Sequence, residues 1–334
     1  MAYTTIDNPE LYFQVKTYTG TGSSLAITLD GDEDMQPDFV WIKERNLHSS
    51  SALTDSVRGT TEKLKSDENV ATEINTNLIT SFDSDGFSLG DNGNANQSPS
   101  QTYVAWCWKE SATSGFDIVS YTGNGTDDTD ISHNLSATPK MIMVKNRDAT
   151  DDWAVYHAGN TANPHTDYLV LNEVDATADA ADRWSDEAPT SSVFTLGDAD
   201  EVNTDTEDYI AYCFAEKQGF SKFGSYTGNG SSTDGTFCFC GFKPSFVMVK
   251  RTDAEEGYGM FDTKRDTYNP VMKRIEANDN AVERTDLIWY DFYSNGFKAR
   301  QSYDLVNADG GTYIYMAFAE APFVNSNGVP CNAR

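Results

Sequence analysis

The sequence predicts an all-β protein built from three tandem β-sandwich or jelly-roll-like repeats of about 105 residues each. Three observations predict it. A hexapeptide recurs almost unchanged, as TYTGTG at 17–22 and as SYTGNG at 120–125 and 225–230. A fixed period of this kind is the sequence mark of a repeat architecture. Short apolar runs rich in β-branched and aromatic residues alternate with Gly- and Asp-rich turns, as strands do. Four such blocks also return in the same order in each third of the chain, with similar gaps.

Taken in order, residues 1–11 are a lead with no readable fold of its own, placed to dock onto a partner. The first unit, 12–115, opens with FQVKTYTGTG (13–22), continues with PDFVWIKERN (37–46) and closes with FDSDGFSLG (82–90) and TYVAWCWKES (102–111). The second, 116–219, has FDIVSYTGNG (116–125), TPKMIMVKNRD (138–148), SSVFTLG (191–197) and DYIAYCFAEK (208–217). The third, 220–334, has FSKFGSYTGNG (220–230), KPSFVMVKRTD (243–253), FYSNGFKARQ (292–301) and TYIYMAFAEA (312–321). The runs DFVWIK, KMIMVK and SFVMVK end in a charged Lys, and continuous apolar runs suit strands buried on both faces. Val40, Ile142 and Val247 should sit on equivalent strands. TGNG and SDG supply residues that tolerate positive φ, the chemistry of turns. Helix is expected to be scarce, with room for one short turn in each of SVRGTTEKLKS (56–66) and PVMKRIEAND (270–279). Gly115 and Gly219 alone separate neighbouring units, so a stiff rod or a compact cluster is expected.

The charge excludes several function classes. With 52 acidic against 24 basic residues the net charge is −28, which repels phosphate backbones and anionic lipid. Neither nucleic acid nor membrane insertion is expected, and no apolar run reaches 18 residues. The first residues lack a basic stretch followed by an apolar one, so no secretory signal is expected. The five cysteines are odd in number and match no zinc spacing. They are expected to be reduced, with Cys107 and Cys213 in matching strand positions and Met316 as their third counterpart.

No residue type in a diagnostic pattern points to catalysis. The four histidines are His48, His133, His157 and His165. No GxSxG elbow accompanies them, and the last two, eight apart, are too sparse for a zinc set. Acidic loops at 29–38, 125–130 and 197–208 could hold Ca²⁺, but none follows the twelve-residue calcium-loop pattern. Trp153, Tyr156, Tyr168, Trp184, Trp289, Tyr290 and Tyr293 could line a sugar site, but fit a core or an interface better. No phosphate-binding glycine loop opens a helix. The sequence therefore assigns no catalytic, cofactor or metal residues and leaves binding residues open. Its aromatic content exceeds what three small cores absorb, which predicts self-association that strengthens with salt.

SVRGTTEKLKS, FDSDGFSLG with YVAWCWK, and the series SYTGNG, VKNR, VYH and YLVLN resemble repeat modules of virion structural proteins of marine tailed phages, described as tail-fibre or appendage components. The resemblance covers about residues 13–322. It implies a non-enzymatic virion protein, assembled in the host cytoplasm with other virion proteins and as a homo-oligomer. It carries over no active-site residue. The third unit departs from the pattern, with FKAR at 297–300 in place of FSLG or FTLG, and YGMFD at 258–262 where the second has WAVYH. Two other readings remain open: a receptor- or glycan-binding adhesin of the phage tail, and a polysaccharide depolymerase.

Overall fold

In a computed structural model that describes residues 3–332, strands carry the regular structure. Three large antiparallel sheets follow one another along the chain, and all have the same strand order at their centre. The first and last strands of each segment pair: Phe13–Thr19 with Thr102–Trp108, Phe116–Thr122 with Asp208–Phe214, and Ser221–Thr227 with Thr312–Pro322. The apolar run lies on the other side of the last strand, as Phe39–Glu44, Met141–Asn146 and Phe242–Arg251. Val40, Ile142 and Val247 pair with Cys107, Cys213 and Ala317. The third counterpart of the two cysteines is therefore Ala317. Met316 instead matches Trp106 and Tyr212, one position earlier.

A strand's side chains alternate between faces, and here both faces are covered. Val40, Ile42 and Cys107 point to a smaller sheet that includes Leu25–Thr28 and Gly86–Leu89. Ile142, Val144 and Cys213 do the same in the second segment, and Val247, Val249 and Ala317 in the third. Each segment thus closes a sandwich of its own. The opposite faces carry Phe39 and Trp41, Met141 and Met143, and Phe246 and Met248, and all three sets meet in a single shared core. Trp106, Tyr212 and Met316 join them. Much of the aromatic excess read from the sequence is buried here, inside one chain, while Phe237, Phe239 and Tyr268 stay exposed.

The recurring hexapeptide is a clamp. Tyr18, Tyr121 and Tyr226 stack on Tyr103, Tyr209 and Tyr313, with centroids 5.2, 5.1 and 4.8 Å apart. Their hydroxyls donate to the carbonyls of Ala95, Val202 and Val306. These carbonyls lie in single helical turns, Gly93–Asn96, Asp200–Asn203 and Asp304–Asn307. Each turn ends in a fully buried asparagine whose Oδ1 accepts from the loop: Thr21 N to Asn96, Asn124 N to Asn203, Asn229 N to Asn307. The glycine after each YT must lack a side chain. A Cβ on Gly123 or Gly228 would come within 2.2 Å of the Thr204 or Ala308 carbonyl oxygen. Helical turns occur at these sites and not at 56–66 or 270–279. Those stretches are extended or in turns, with Glu62–Lys63 and Ile275–Glu276 in strands.

The lead has a fold after all. Thr4 Oγ1 donates to the Gln218 carbonyl and Tyr3 OH to that of Gly241. Ile6 is buried in the shared core, and Pro9–Leu11 form a 3-10 turn capped by Asn8. Met1 and Ala2 lie outside the described residues. The lead closes the end of the core where Phe13, Phe220 and Phe318 converge.

Candidate functional site

The structure disperses the residues that the sequence singled out. His48 is exposed and His165 half-buried. His133 is buried, with Leu135 N–H donating to its Nδ1 and its Nε2 facing the Thr190 carbonyl, and burial lowers its pKa. Trp153, Tyr156, Trp184, Trp289 and Tyr290 are core residues. Tyr168 supports the Arg183 guanidinium 4.4 Å above its ring. Arg183 in turn binds Asp182 and Glu201 across an acidic bay of about 380 Å³. Among the described residues no group of three or more His, Cys, Asp or Glu is placed to hold a metal ion. All five cysteines are free thiols, and burial raises the Cys107, Cys213, Cys238 and Cys240 pKa values well above the ordinary range.

The most constrained charges sit at the seams between sheets. Asp55 and Arg58, both fully buried, form a 2.6 Å ion pair. Tyr212 of the second sheet donates its hydroxyl to Asp55 at 2.8 Å and accepts from Arg58 at 3.1 Å. Asp262 and Arg265 repeat the pair at 2.6 Å, and there Trp106 of the first sheet donates its Nε1 to Asp262 at 3.2 Å. At the corresponding place in the second sheet stands His157. It lines a small cavity with Met316, which has no hydrogen to donate, and Asn160 stands where Arg58 and Arg265 stand in the other segments, so a carboxylate there would lack both partners. Gly159 N–H donates to His157 Nδ1 at 3.0 Å, so Nε2 carries the proton and gives it to the Tyr315 carbonyl at 3.2 Å. The ring is neutral, and burial takes its pKa down to about 4.

The lysines that end the apolar runs are buried as well, against their expected place at the strand boundary. Lys43 donates to the Ser49 and Asp279 carbonyls, Lys145 to Asn146 and Ala149, and Lys250 to Val174 and Glu256. Burial lowers the pKa of all three, to about 8 for Lys145 and Lys250. Main-chain bonds continue the ring of contacts. Glu283 N–H reaches the Arg45 carbonyl, Thr72 that of Arg147, and Thr177 that of Thr252, at 2.8–2.9 Å.

What stands out at the surface belongs to the third segment. The outer strand of its small sheet, Phe237–Phe239, turns Cys238 inward and two phenylalanines outward, 44% and 56% exposed. Register places Ala26 and Thr28, and Asp130 and Ser132, at the same outward positions of the other small sheets. Tyr293 packs edge-on against Phe237 with centroids 6.0 Å apart. Beside Phe239 lies a hollow of about 310 Å³, walled by Tyr3, Glu216, Gln218, Lys222 and Gly241. Glu216 and Lys222 are ion-paired at 2.8 Å. The sequence signal for this surface is the alternation in TFCFCG, where attention to the cysteines hides the paired phenylalanines. Tyr3 and Glu216 are far apart in sequence and carry no signal.

Residues 8–322 match the family model described as "Domain of unknown function (DUF7483)". No curated protein matches the chain.

Proposed function

The chain belongs to the DUF7483 family, a domain of unknown function, and we propose that it is a non-enzymatic structural component of a bacteriophage virion, a tail-fibre, appendage or decoration protein. It assembles in the host cytoplasm with other virion proteins and with copies of itself. One observation carries the reading: the residues that recur in the three segments act on one another. The YTG tyrosines, the helical-turn asparagines and the buried lysines of all three segments, and the Asp–Arg pairs of the first and third, hold loops and sheets together. Chemistry preserved through the repeats therefore serves rigidity, which suits a spacer or scaffold. The likeness to phage repeat modules supplies the compartment. The test is an antibody raised against the chain, applied to purified particles of the encoding phage. Labelling at one defined position is expected, and its absence from the particle proteome would overturn the reading.

A second reading, a receptor-binding adhesin, is favoured by the exposed ring pair on the third segment alone. Particles that lack the chain would then form normally but fail to adsorb.

A further inference from the structure

We infer that the hollow beside Phe239 is a binding site for a neutral hexopyranose chain. The inference does not depend on the virion reading. Three features carry it. First, the hollow, about 310 Å³, sits at the lower end of the roughly 300–1,000 Å³ range of small-molecule sites. Second, its chemistry is two-sided. A flat ring, Phe239, is more than half exposed at one edge, while Glu216, Gln218 and Lys222 provide acceptors and donors on the wall. A pyranose has the matching form: an apolar C–H face that covers an aromatic ring, and hydroxyls around its rim that both donate and accept. Third, the feature is specific to one segment. The same outward positions hold Ala26 and Thr28, or Asp130 and Ser132, elsewhere, so the strand architecture does not require the phenylalanines.

The surroundings select among ligands. A net charge of −28 and Glu216 in the wall disfavour polyanions at long range. A wholly apolar occupant would press carbon against the Glu216–Lys222 pair and leave it poorly solvated. The ring edge of Tyr293 against Phe237 extends the aromatic surface along the strand, where a second sugar of the same chain can lie.

The full chain is titrated calorimetrically with maltohexaose, cellohexaose and the fully N-acetylated chitohexaose, all uncharged. Saturable binding of at least one is expected. Phe239→Ser installs the residue that the second segment carries at this position, so the fold should tolerate it. Loss of one ring contact should weaken binding roughly tenfold. Lys222→Gln, which installs the residue at the matching position Gln14, should weaken it less. Tyr268→Ser, at an exposed ring elsewhere, should leave it unchanged. The weakening by Phe239→Ser is expected with an unchanged melting temperature; no binding of any of the three sugars, or equal binding by Phe239→Ser, would overturn the inference.

Discussion

His157 shows how one residue adapts a repeated joint to a partner that cannot donate. Its ring is neutral when folded, with a pKa of about 4, against an ordinary value near 6.5. Between those values the unfolded chain binds the proton and the folded chain does not, so stability rises with pH across the window. The contribution is complete above about pH 6.5 and is lost as pH falls towards 4, about 3 kcal/mol in all. Urea unfolding at pH 7 and pH 4.5 should show this component in the native chain and not in His157→Gln. Equal pH dependence would mean the ring is charged in the folded state. The Asp55 joint gives a second expectation. Arg58→Ala strands a fully buried carboxylate and should cost about 3–5 kcal/mol. Tyr212→Phe removes only the phenol from the same carboxylate and should cost about 1–3 kcal/mol. Chemical denaturation of the two variants would rank them, and the reverse order would mean that the ion pair is not the centre of the joint.

At the scale of the strand, the alternation of faces sets what each position tolerates. Cys107 and Cys213 occupy the position that Ala317 fills in the third sheet, each turned into its own sandwich core. Cys107→Ala and Cys213→Ala should therefore each cost only about 1 kcal/mol, read as small shifts in a melting curve. A loss several times larger would mean that the sulfur fills space the third core does not have. The strands themselves were legible in the sequence because FVWIK, MIMVK and FVMVK carry a local signal, a continuous apolar run between turn residues. What covers their second face was not. The cover for Phe39 is Tyr212, 4.3 Å away between centroids, and no local pattern ties positions so far apart. The lysines were misplaced for a related reason. A charge at the end of an apolar run reads as a boundary unless the carbonyls that receive it are known, and for Lys43 one of them, Asp279, comes from the far end of the chain. The phenylalanines of TFCFCG were present as period-2 alternation, but which face met solvent depended on the sheet behind them.

The whole molecule closes on itself through non-covalent contacts between its first and third segments. Phe13 stacks on Phe318 with centroids 4.9 Å apart, and Ser326 N–H donates to Asp7 at 2.7 Å, so the two ends of the chain lie together. Three sandwiches that share one core should unfold as one unit, and a single calorimetric transition is expected. Deleting residues 1–11 withdraws Ile6 from that core and the Thr4 and Tyr3 bonds from the third segment. The loss should be at least about 2 kcal/mol, with the transition still single. The sharpest test removes the neighbours. Residues 12–115 alone keep the sandwich of Val40, Ile42 and Cys107, but they turn Phe39, Trp41, Leu53, Val104, Trp106 and Trp108 towards water. An apolar face of that size is not stable in solution. Sedimentation of this fragment should show a trimer that rebuilds the core from three copies, or aggregation. A folded monomer with a sharp melting transition would mean that each sandwich stands alone and that the shared core is only a contact between finished domains.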